Sequence, residues 1–315
     1  GTVLHSSRTN PRRVPEEDAP PHLGRARLAR LACDDGRLDL TPVVIENLER
    51  AGVAALIAIG GDDTLGYAAR LHAEGVPVTA VPKTMDNDVR GTEYCIGFST
   101  AITRAKDAIT RQRTTLGSHE RIGVFRIFGR DAGFTALYTG YAASVRCVLP
   151  EHRFDLDHLC SLLLDDRRRN RRSYALVVAS EGAVWEGYDV RSYGDADAYG
   201  HRKKVDIGEI LADEIRDRTG VETTASDLTY DLRSGDPDSV DQIVATTYAN
   251  VALDLVADGV YGQMVGVRDG RYAYTGIPDP GLGPRKVDVG RLYNKERYRP
   301  NYTGLLGSPL LLSNL

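Results

Sequence analysis

A pair of aspartates stands at a point in the sequence that normally binds phosphate. The apolar run 54–59 ends in two glycines, and Asp62 and Asp63 follow before a helical pattern begins. A strand that runs into glycines and a helix normally holds an anion, because glycine allows close backbone approach and helix amides attract negative charge. Two carboxylates here therefore need a chemical reason of their own.

A second polar loop follows the next apolar run, 76–81. It reads PKTMDND and contains Asp86, Asn87 and Asp88. If the two runs are neighbouring strands, these side chains meet the first aspartate pair, because such sheets carry their chemistry at the carboxyl ends of the strands. Oxygen ligands suit Mg²⁺, which takes one or two carboxylates plus substrate phosphates. A remaining aspartate could act as general base toward a hydroxyl, an effect of about 10²–10⁴ in rate. The alternative is a pair of Asx turns that cap helices.

Apolar strands and amphipathic helices alternate along the chain, which predicts an α/β fold with mostly parallel sheets covered by helices. The pattern predicts strands at 54–59, 76–81, 121–128, 146–149, 174–180 and 263–267. It predicts helices at 43–51, 64–74, 99–113, 134–143, 156–165, 207–219 and 239–258. The rule for strand ends then directs attention to five loops. They are 60–64, 82–88, 129–133, 181–182 and the turn around Arg233.

Composition excludes several classes of protein. The chain has 315 residues, a net charge of −4 and 42% hydrophobic residues, which allows two lobes, since domains typically hold about 100–200 residues. No apolar stretch approaches the ~20 residues that span a membrane. The four cysteines and seven histidines show no zinc-binding spacing, which favours a cytoplasmic protein with reduced thiols. Five arginines within 167–172 indicate a solvated helix end rather than a nucleic-acid site, because the chain is acidic overall.

Six motifs in order resemble the phosphofructokinase family, and most closely its pyrophosphate-dependent branch. They are GGDDT, PKTMDND, SHERIGVFRIFGRDAGFTA, ASEGA, GHRKKVDIGEILADEI and YDLRSGDPDSVD, and together they cover nearly the whole chain. The resemblance implies two Rossmann-like α/β lobes. Residues 1–112 plus 236–287 would bind the phosphate donor, and residues 113–235 plus 288–315 the sugar phosphate. The implied reaction is the Mg²⁺-dependent, reversible transfer of a phosphoryl group from pyrophosphate to the 1-hydroxyl of fructose 6-phosphate, giving fructose 1,6-bisphosphate and phosphate.

The resemblance also implies roles for single residues near the donor. Asp86 would accept the proton of the sugar hydroxyl, and Asp62 and Asp88 would hold Mg²⁺. Arg8 would neutralise the charge of the phosphoryl group during its transfer, and Lys83 would act beside Arg8 as a further catalytic cation.

A larger set of residues is implied to bind the sugar phosphate. These residues are Thr84, Arg121, Phe128, Gly129, Arg130, Glu181, Tyr230 and Arg233. Arg121 would reach the 6-phosphate in a neighbouring subunit, which implies a homodimer or homotetramer, without nucleic acid or membrane as partner. Phe128 replaces the family's methionine, and Thr224 stands where an arginine is commonly found. That second change makes a seven-carbon sugar phosphate a secondary possibility.

Donor choice is predicted from Asp63 and Lys83. ATP-dependent relatives have glycine where this chain has Asp63, which leaves room for the α-phosphate of the nucleotide. A charge about 4 Å from a phosphate oxygen costs roughly 4 kcal/mol at an effective dielectric of 20, on the order of a thousandfold in affinity. Lysine is rare in this chain, with six among the 40 basic residues, so Lys83 indicates that a compact ammonium is needed beside Asp63.

Two alternatives stay open at the level of sequence. Family members open with a strand and a G-G-x-x-x-G-x-N loop that helps to hold the donor, and the residues that begin this sequence do not match them. A catalytically impaired homologue is therefore one alternative. The other is an ATP-dependent 6-phosphofructokinase whose pocket tolerates Asp63.

Overall fold

The computed structural model describes residues 5–6, 9–188, 192–193, 203–204 and 207–306. Its helices are α1 (Arg25–Leu31), α2 (Thr41–Arg50), α3 (Asp62–Ala73), α4 (Phe98–Ser118), α5 (Phe134–Ala143), α6 (Leu156–Arg169), α7 (Ile207–Thr219), α8 (Ser239–Ala257) and α9 (Val289–Leu292). Short 3-10 turns occupy Glu16–Asp18, Tyr230–Arg233 and Pro280–Leu282. The strands are β1 (Leu56–Gly60), β2 (Val78–Pro82), β3 (Ile122–Ile127), β4 (Arg146–Val148), β5 (Ala175–Ser180), β6 (Ser192–Tyr193), β7 (Lys203–Lys204), β8 (Thr223–Asp227), β9 (Gln263–Arg268), β10 (Arg271–Gly276), β11 (Tyr293–Asn294) and β12 (Arg299–Pro300).

Two four-stranded sheets form the framework. The first has the order β1-β2-β9-β10, with β1, β2 and β9 parallel and β10 antiparallel to β9. The second has the order β4-β5-β3-β8 and is parallel throughout. The central strands β2 and β5 are buried along their whole length, which explains their continuous aliphatic sequences. The predicted α/β class is confirmed.

One apolar core runs beneath both sheets. The same cluster contains Val81 and Met85 at the end of β2, Ile109 in the middle of α4, and Val124 and Phe125 on β3. The long helix α4 packs on β3 and shares this cluster with residues of the first sheet. The strands of the first sheet fall in the segments predicted for the donor lobe and those of the second in the sugar-phosphate lobe, but the boundaries between the lobes stay a prediction.

The first turn of α4 is fixed by a residue of another helix. Asp241, buried on α8, accepts hydrogen bonds from the backbone N–H groups of Gly97 at 2.8 Å and Thr100 at 2.9 Å. These N–H groups lie at the start of a helix and have no partner within it. The carboxylate therefore fixes the point where the chain leaves the loop 82–97 and enters α4.

The predicted alternation of strands and helices is present throughout, with small shifts at the ends. The largest functional difference is at α3, which begins at Asp62 rather than at residue 64. Six strands were missed, β6, β7, β8, β10, β11 and β12, and so were the short helices α1 and α9. Of these, β8 and β10 belong to the two four-stranded sheets; their sequences, TTASD and RYAYTG, lack an apolar run. Within the described residues no helix combines the length and the apolarity that a membrane crossing requires.

Candidate active site

The two aspartate loops begin side by side. Gly60 and Pro82 are paired at the carboxyl ends of β1 and β2, and the N–H of Lys83 donates to the Gly60 carbonyl at 2.8 Å. Asp62 and Asp63 form the first turn of α3, where carboxylates interact favourably with the positive end of the helix dipole. The predicted convergence of the loops therefore occurs, and the helix itself stabilises part of the negative charge.

Asp86 is the most deeply placed carboxylate of the second loop. Its side chain is buried, and Oδ1 has no hydrogen-bond partner among the described residues. Burial and then the negative charge of Glu181 raise the pKa of Asp86, while Arg130 and Arg233 lower it. A buried carboxylate with an elevated pKa and an oxygen without a hydrogen-bond partner has the properties of a general base that could accept a proton from a hydroxyl.

Asp88 is affected by the negative charges of the neighbouring aspartates. Burial, followed by repulsion from Asp86 and Asp62, raises its pKa to about 8. Within the described part of the chain no three carboxylate, histidine or cysteine side chains form a ready-made metal cluster. Mg²⁺, however, needs only one or two carboxylates when substrate phosphates complete its shell. The mutual repulsion of these aspartates is what a cation would relieve, so the residues fit the predicted ion.

Arg130 provides the main positive charge over the donor side. Its guanidinium lies 4.0 Å from Asp62 and 3.7 Å from Asp63. Burial lowers the pKa of Arg130, but the neighbouring carboxylates, Asp62 first, raise it by more, so the net pKa lies above the usual value. The backbone of Arg130 has a φ of +47°, a conformation that costs energy outside glycine. Its N–H donates to Glu181 Oε1 at 2.7 Å, which holds this loop in place.

The expected pairing of Asp63 with Lys83 is not what the structure shows. Burial and then Arg233 lower the pKa of Lys83, and the carboxylate that opposes this shift is Asp86, not Asp63. Asp63 instead forms its ion pair with Arg130. The physical reason is that Arg130 reaches the first turn of α3 from the facing loop, while the carboxylate that acts on the exposed Lys83 is the buried Asp86.

The predicted sugar-phosphate residues form an aromatic and cationic group. Phe128 and Tyr230 meet edge to face at 5.5 Å between ring centres. The Arg233 guanidinium lies 4.5 Å from the centre of the Phe128 ring, and its Nε lies 3.3 Å from Met85 Sδ in the aspartate loop. This group therefore joins the 3-10 turn 230–233 to the residue that precedes Asp86.

Other predicted residues have different positions. Thr84 Oγ1 accepts a hydrogen bond from the N–H of Asp86 at 3.2 Å and so shapes the loop from inside. Arg121 immediately precedes β3, and Thr224 pairs with Gly123 near the amino end of that strand. Both residues therefore lie at the amino end of the second sheet, opposite to Glu181, which follows the carboxyl end of β5. Arg8 lies outside the described residues.

Two arginines that sequence reasoning missed support the site. Arg126 on β3, 11% exposed, lies 3.5 Å from Glu181 and 3.0 Å from Asp227. A charged residue inside an apolar strand was a usable signal, because a buried charge needs partners. Arg285 is buried beneath the aspartate loop and donates from its guanidinium to the Asn87 carbonyl.

Three of the carboxylates, Asp62, Asp63 and Asp88, line a cleft of about 300 Å³ together with residues 278–280 and 283–284. A larger cavity of about 670 Å³ lies beside Arg146 and Asp166, at β4 and α6. We place the candidate site at the smaller cleft, because three of the convergent carboxylates line it and Arg130 contacts two of them.

Comparisons with known proteins point to one family. A family model described as phosphofructokinase matches residues 1–256. A pyrophosphate–fructose 6-phosphate 1-phosphotransferase of Amycolatopsis mediterranei is 40% identical over 270 residues, which are 85% of this chain and 72% of that relative. An ATP-dependent 6-phosphofructokinase of Corynebacterium efficiens is 37% identical over 227 residues, 71% of this chain and 65% of that relative.

The fold has a counterpart among solved structures. The crystal structure of a pyrophosphate-dependent phosphofructokinase from Marinobacter aquaeolei superposes with a TM-score of 0.69 at 18% identity, covering 87% of this chain and 71% of the other. The resemblance predicted from the motifs is thus confirmed by sequence and by architecture. The chain belongs to the phosphofructokinase family of phosphotransferase enzymes.

Proposed function

We propose that this enzyme transfers a phosphoryl group reversibly from pyrophosphate to the 1-hydroxyl of fructose 6-phosphate, with Mg²⁺. The observation that carries the proposal is the arrangement of the two loops: the buried Asp86 lies two residues before Asp88, and Asp88 lines one cleft with Asp62 and Asp63, which Arg130 contacts. A relative that is 40% identical is named for the same reaction. The proposal keeps the homo-oligomer and the cytoplasmic setting that the resemblance implies.

Proton acceptance is assigned to Asp86. The sugar hydroxyl would approach its unused Oδ1 and lose its proton to that oxygen as it attacks phosphorus. Asp86 must be ionised for this step, and the positive charges of Arg130 and Arg233 favour the ionised form. Because the pKa is still raised by burial and by Glu181, the protonated aspartate is a competent acid in the reverse reaction.

Charge compensation is divided among the other residues of the cleft. Mg²⁺ held by Asp62 and Asp88 would supply positive charge to the donor phosphates. Arg130 would exchange its contacts with the aspartates for contacts with phosphate oxygens, since guanidinium groups bind both anions in the same bidentate manner. Phosphoryl transfer depends mainly on such positioning and charge stabilisation.

Asp63 favours pyrophosphate over ATP as donor. Its carboxylate lies in the first turn of α3, beside the proposed donor site, and repels any phosphate that follows the second one. The ATP-dependent relative at 37% identity keeps ATP as the second candidate, and an impaired homologue remains the third.

A donor assay tests the proposal. Purified protein would be given fructose 6-phosphate, Mg²⁺ and either pyrophosphate or ATP at equal concentration, and fructose 1,6-bisphosphate would be measured. We expect turnover with pyrophosphate and little with ATP, and a reverse reaction that consumes fructose 1,6-bisphosphate and phosphate. A clear preference for ATP would refute the donor assignment. No turnover with either donor, in protein with a normal circular dichroism spectrum, would favour the impaired homologue.

A further inference from the structure

The donor cleft is closed at one end by a short proline-rich segment. This segment, 278–284, is called the wall: its residues 278–280 and 283–284 line the cleft, and it contains the 3-10 turn Pro280–Leu282. Pro280 packs directly on Gly66 in α3. A Cβ at position 66 would lie 3.1 Å from Pro280 Cβ and 3.2 Å from its Cγ. There is therefore no room for a side chain, still less for a ligand ring, between the helix and this segment.

The wall is held in place by residues that flank the aspartate loop. Arg90 donates from Nε to the Gly283 carbonyl at 2.9 Å and from Nη2 to the Pro284 carbonyl at 3.4 Å. The backbone N–H of Arg285 donates to the Asp88 carbonyl at 2.6 Å. The fixed φ angles of its prolines stiffen the segment further. The wall is thus attached to the chain that carries the proposed metal and base residues.

The position of the wall limits the length of a donor. Asp62 and Gly66 lie four residues apart, on the same face of α3, which corresponds to about one helical turn, or 5.4 Å along the axis. A donor whose phosphates lie against Asp62 and which continues along the helix meets Pro280 within that distance. The cleft volume of about 300 Å³ is at the lower end for small-molecule sites, which span roughly 300–1,000 Å³.

We propose that the residues of this segment that line the cleft, 278–280 and 283–284 with Pro280 above all, are a second donor-specificity element, which excludes the nucleoside part of a nucleotide by bulk. The inference rests on the proposed function, because it assumes that the donor phosphates bind beside Asp62. It differs in mechanism from the effect of Asp63, since that carboxylate repels additional phosphate charge and Pro280 fills the space that a ribose or base would need.

Two probes, one inorganic and one organic, separate these mechanisms. Tripolyphosphate carries a third phosphate and no nucleoside, whereas ATP carries both, and each would be measured as an inhibitor competing with pyrophosphate. The variants are Pro280→Ala, which removes the Cγ contact with Gly66, and Pro280→Gly, which removes the Cβ contact as well. Leu282→Gly is the matched control, because Leu282 lies in the same 3-10 turn but is 63% exposed.

We expect Pro280→Gly to lower the inhibition constant for ATP about tenfold, equivalent to about 1.4 kcal/mol, with a smaller change for Pro280→Ala. The constant for tripolyphosphate should stay at the parent value, and Leu282→Gly should change neither constant. Unchanged ATP inhibition in a Pro280→Gly protein with normal pyrophosphate kinetics would overturn the inference. An equal gain for both probes would also overturn it, because the wall would then act on phosphate rather than on the nucleoside. A parent protein that uses ATP in place of pyrophosphate would instead overturn the proposed function.

Discussion

The crowding of the carboxylates predicts how the free energy of unfolding depends on pH, and this can be tested without any substrate. Burial, Asp86 and Asp62 raise the pKa of Asp88 from 3.8 to about 8. Below about pH 4 the carboxyl is protonated in both states and contributes no pH dependence. Between about pH 4 and pH 8 the unfolded chain releases a proton that the folded protein keeps. The free energy of unfolding therefore falls as the pH rises, by about 1.4 kcal/mol per pH unit for one such group.

The variant Asp88→Asn removes this penalty while keeping the shape of the side chain. Over the whole window the penalty is on the order of 5 kcal/mol. We therefore expect Asp88→Asn to match the parent in stability near pH 4 and to exceed it by several kcal/mol at pH 8. Its phosphotransferase activity should fall, because Asp88 is a proposed ligand of Mg²⁺. A gain in stability with a loss of activity is the usual exchange at a charged active site.

Urea unfolding at several pH values measures the effect. The fluorescence of Trp185, the single tryptophan of the chain and a buried one, reports the transition. Asp34→Asn is the matched control, because Asp34 is an exposed carboxylate outside the cleft. Added MgCl₂ should stabilise the parent at pH 8 more than it stabilises Asp88→Asn. A stability difference between parent and Asp88→Asn that stays constant from pH 4 to pH 8 would refute the reasoning.

Three further substitutions test the assignments of single residues. Asp86→Ala should lower turnover by about 10²–10⁴ without loss of stability in urea unfolding, and near-normal turnover would exclude Asp86 as the base. Asp63→Gly should lower the inhibition constant for ATP. The change should be smaller than the roughly thousandfold calculated for an unpaired carboxylate, because Arg130 lies 3.7 Å from Asp63. Inhibition equal to that of the parent would contradict the role of Asp63. Arg285→Met should reduce the free energy of unfolding by about 1–3 kcal/mol and lower kcat, because the buried Asn87 carbonyl loses its donor. A normal kcat in this variant would show that the loop does not depend on Arg285.

The fold was largely accessible from the sequence because its strands are buried on both faces. Continuous aliphatic runs such as β2 and β5 stand out against amphipathic helices, and their order fixed the α/β class. The strand β8 could not be found in this way, because TTASD carries no apolar signal and is a strand only through its pairing with β3. The strand β10 was findable, because Asp269-Gly270 is a strong hairpin signal, and these two residues connect β9 to β10 with φ values of +50° and +71°.

Some features of the candidate site also follow from the local sequence, and others depend on tertiary contacts. The loops that follow β1 and β2 were predicted to meet, and they do, because the rule of strand ends depends only on the order of elements. The pairing of Lys83 with Asp63 was wrong, because it depended on which side chain reaches across the cleft. Arg285 is more than 190 residues from the Asn87 carbonyl that it supports, and no spacing in the sequence links the two.

One apolar cluster lies beneath loops of both sheets. Val81 at the end of β2, Met85 in the loop that follows it and Val124 on β3 belong to this cluster together with Ile109, and Asp241 fixes the start of α4 to α8. Because close-packed interiors transmit strain, a substitution at Ile109 is expected to disturb the loops after β2 and those after β3 together. Ile109→Ala should therefore raise KM for both proposed substrates, whereas a substitution within one loop should change KM for one of them.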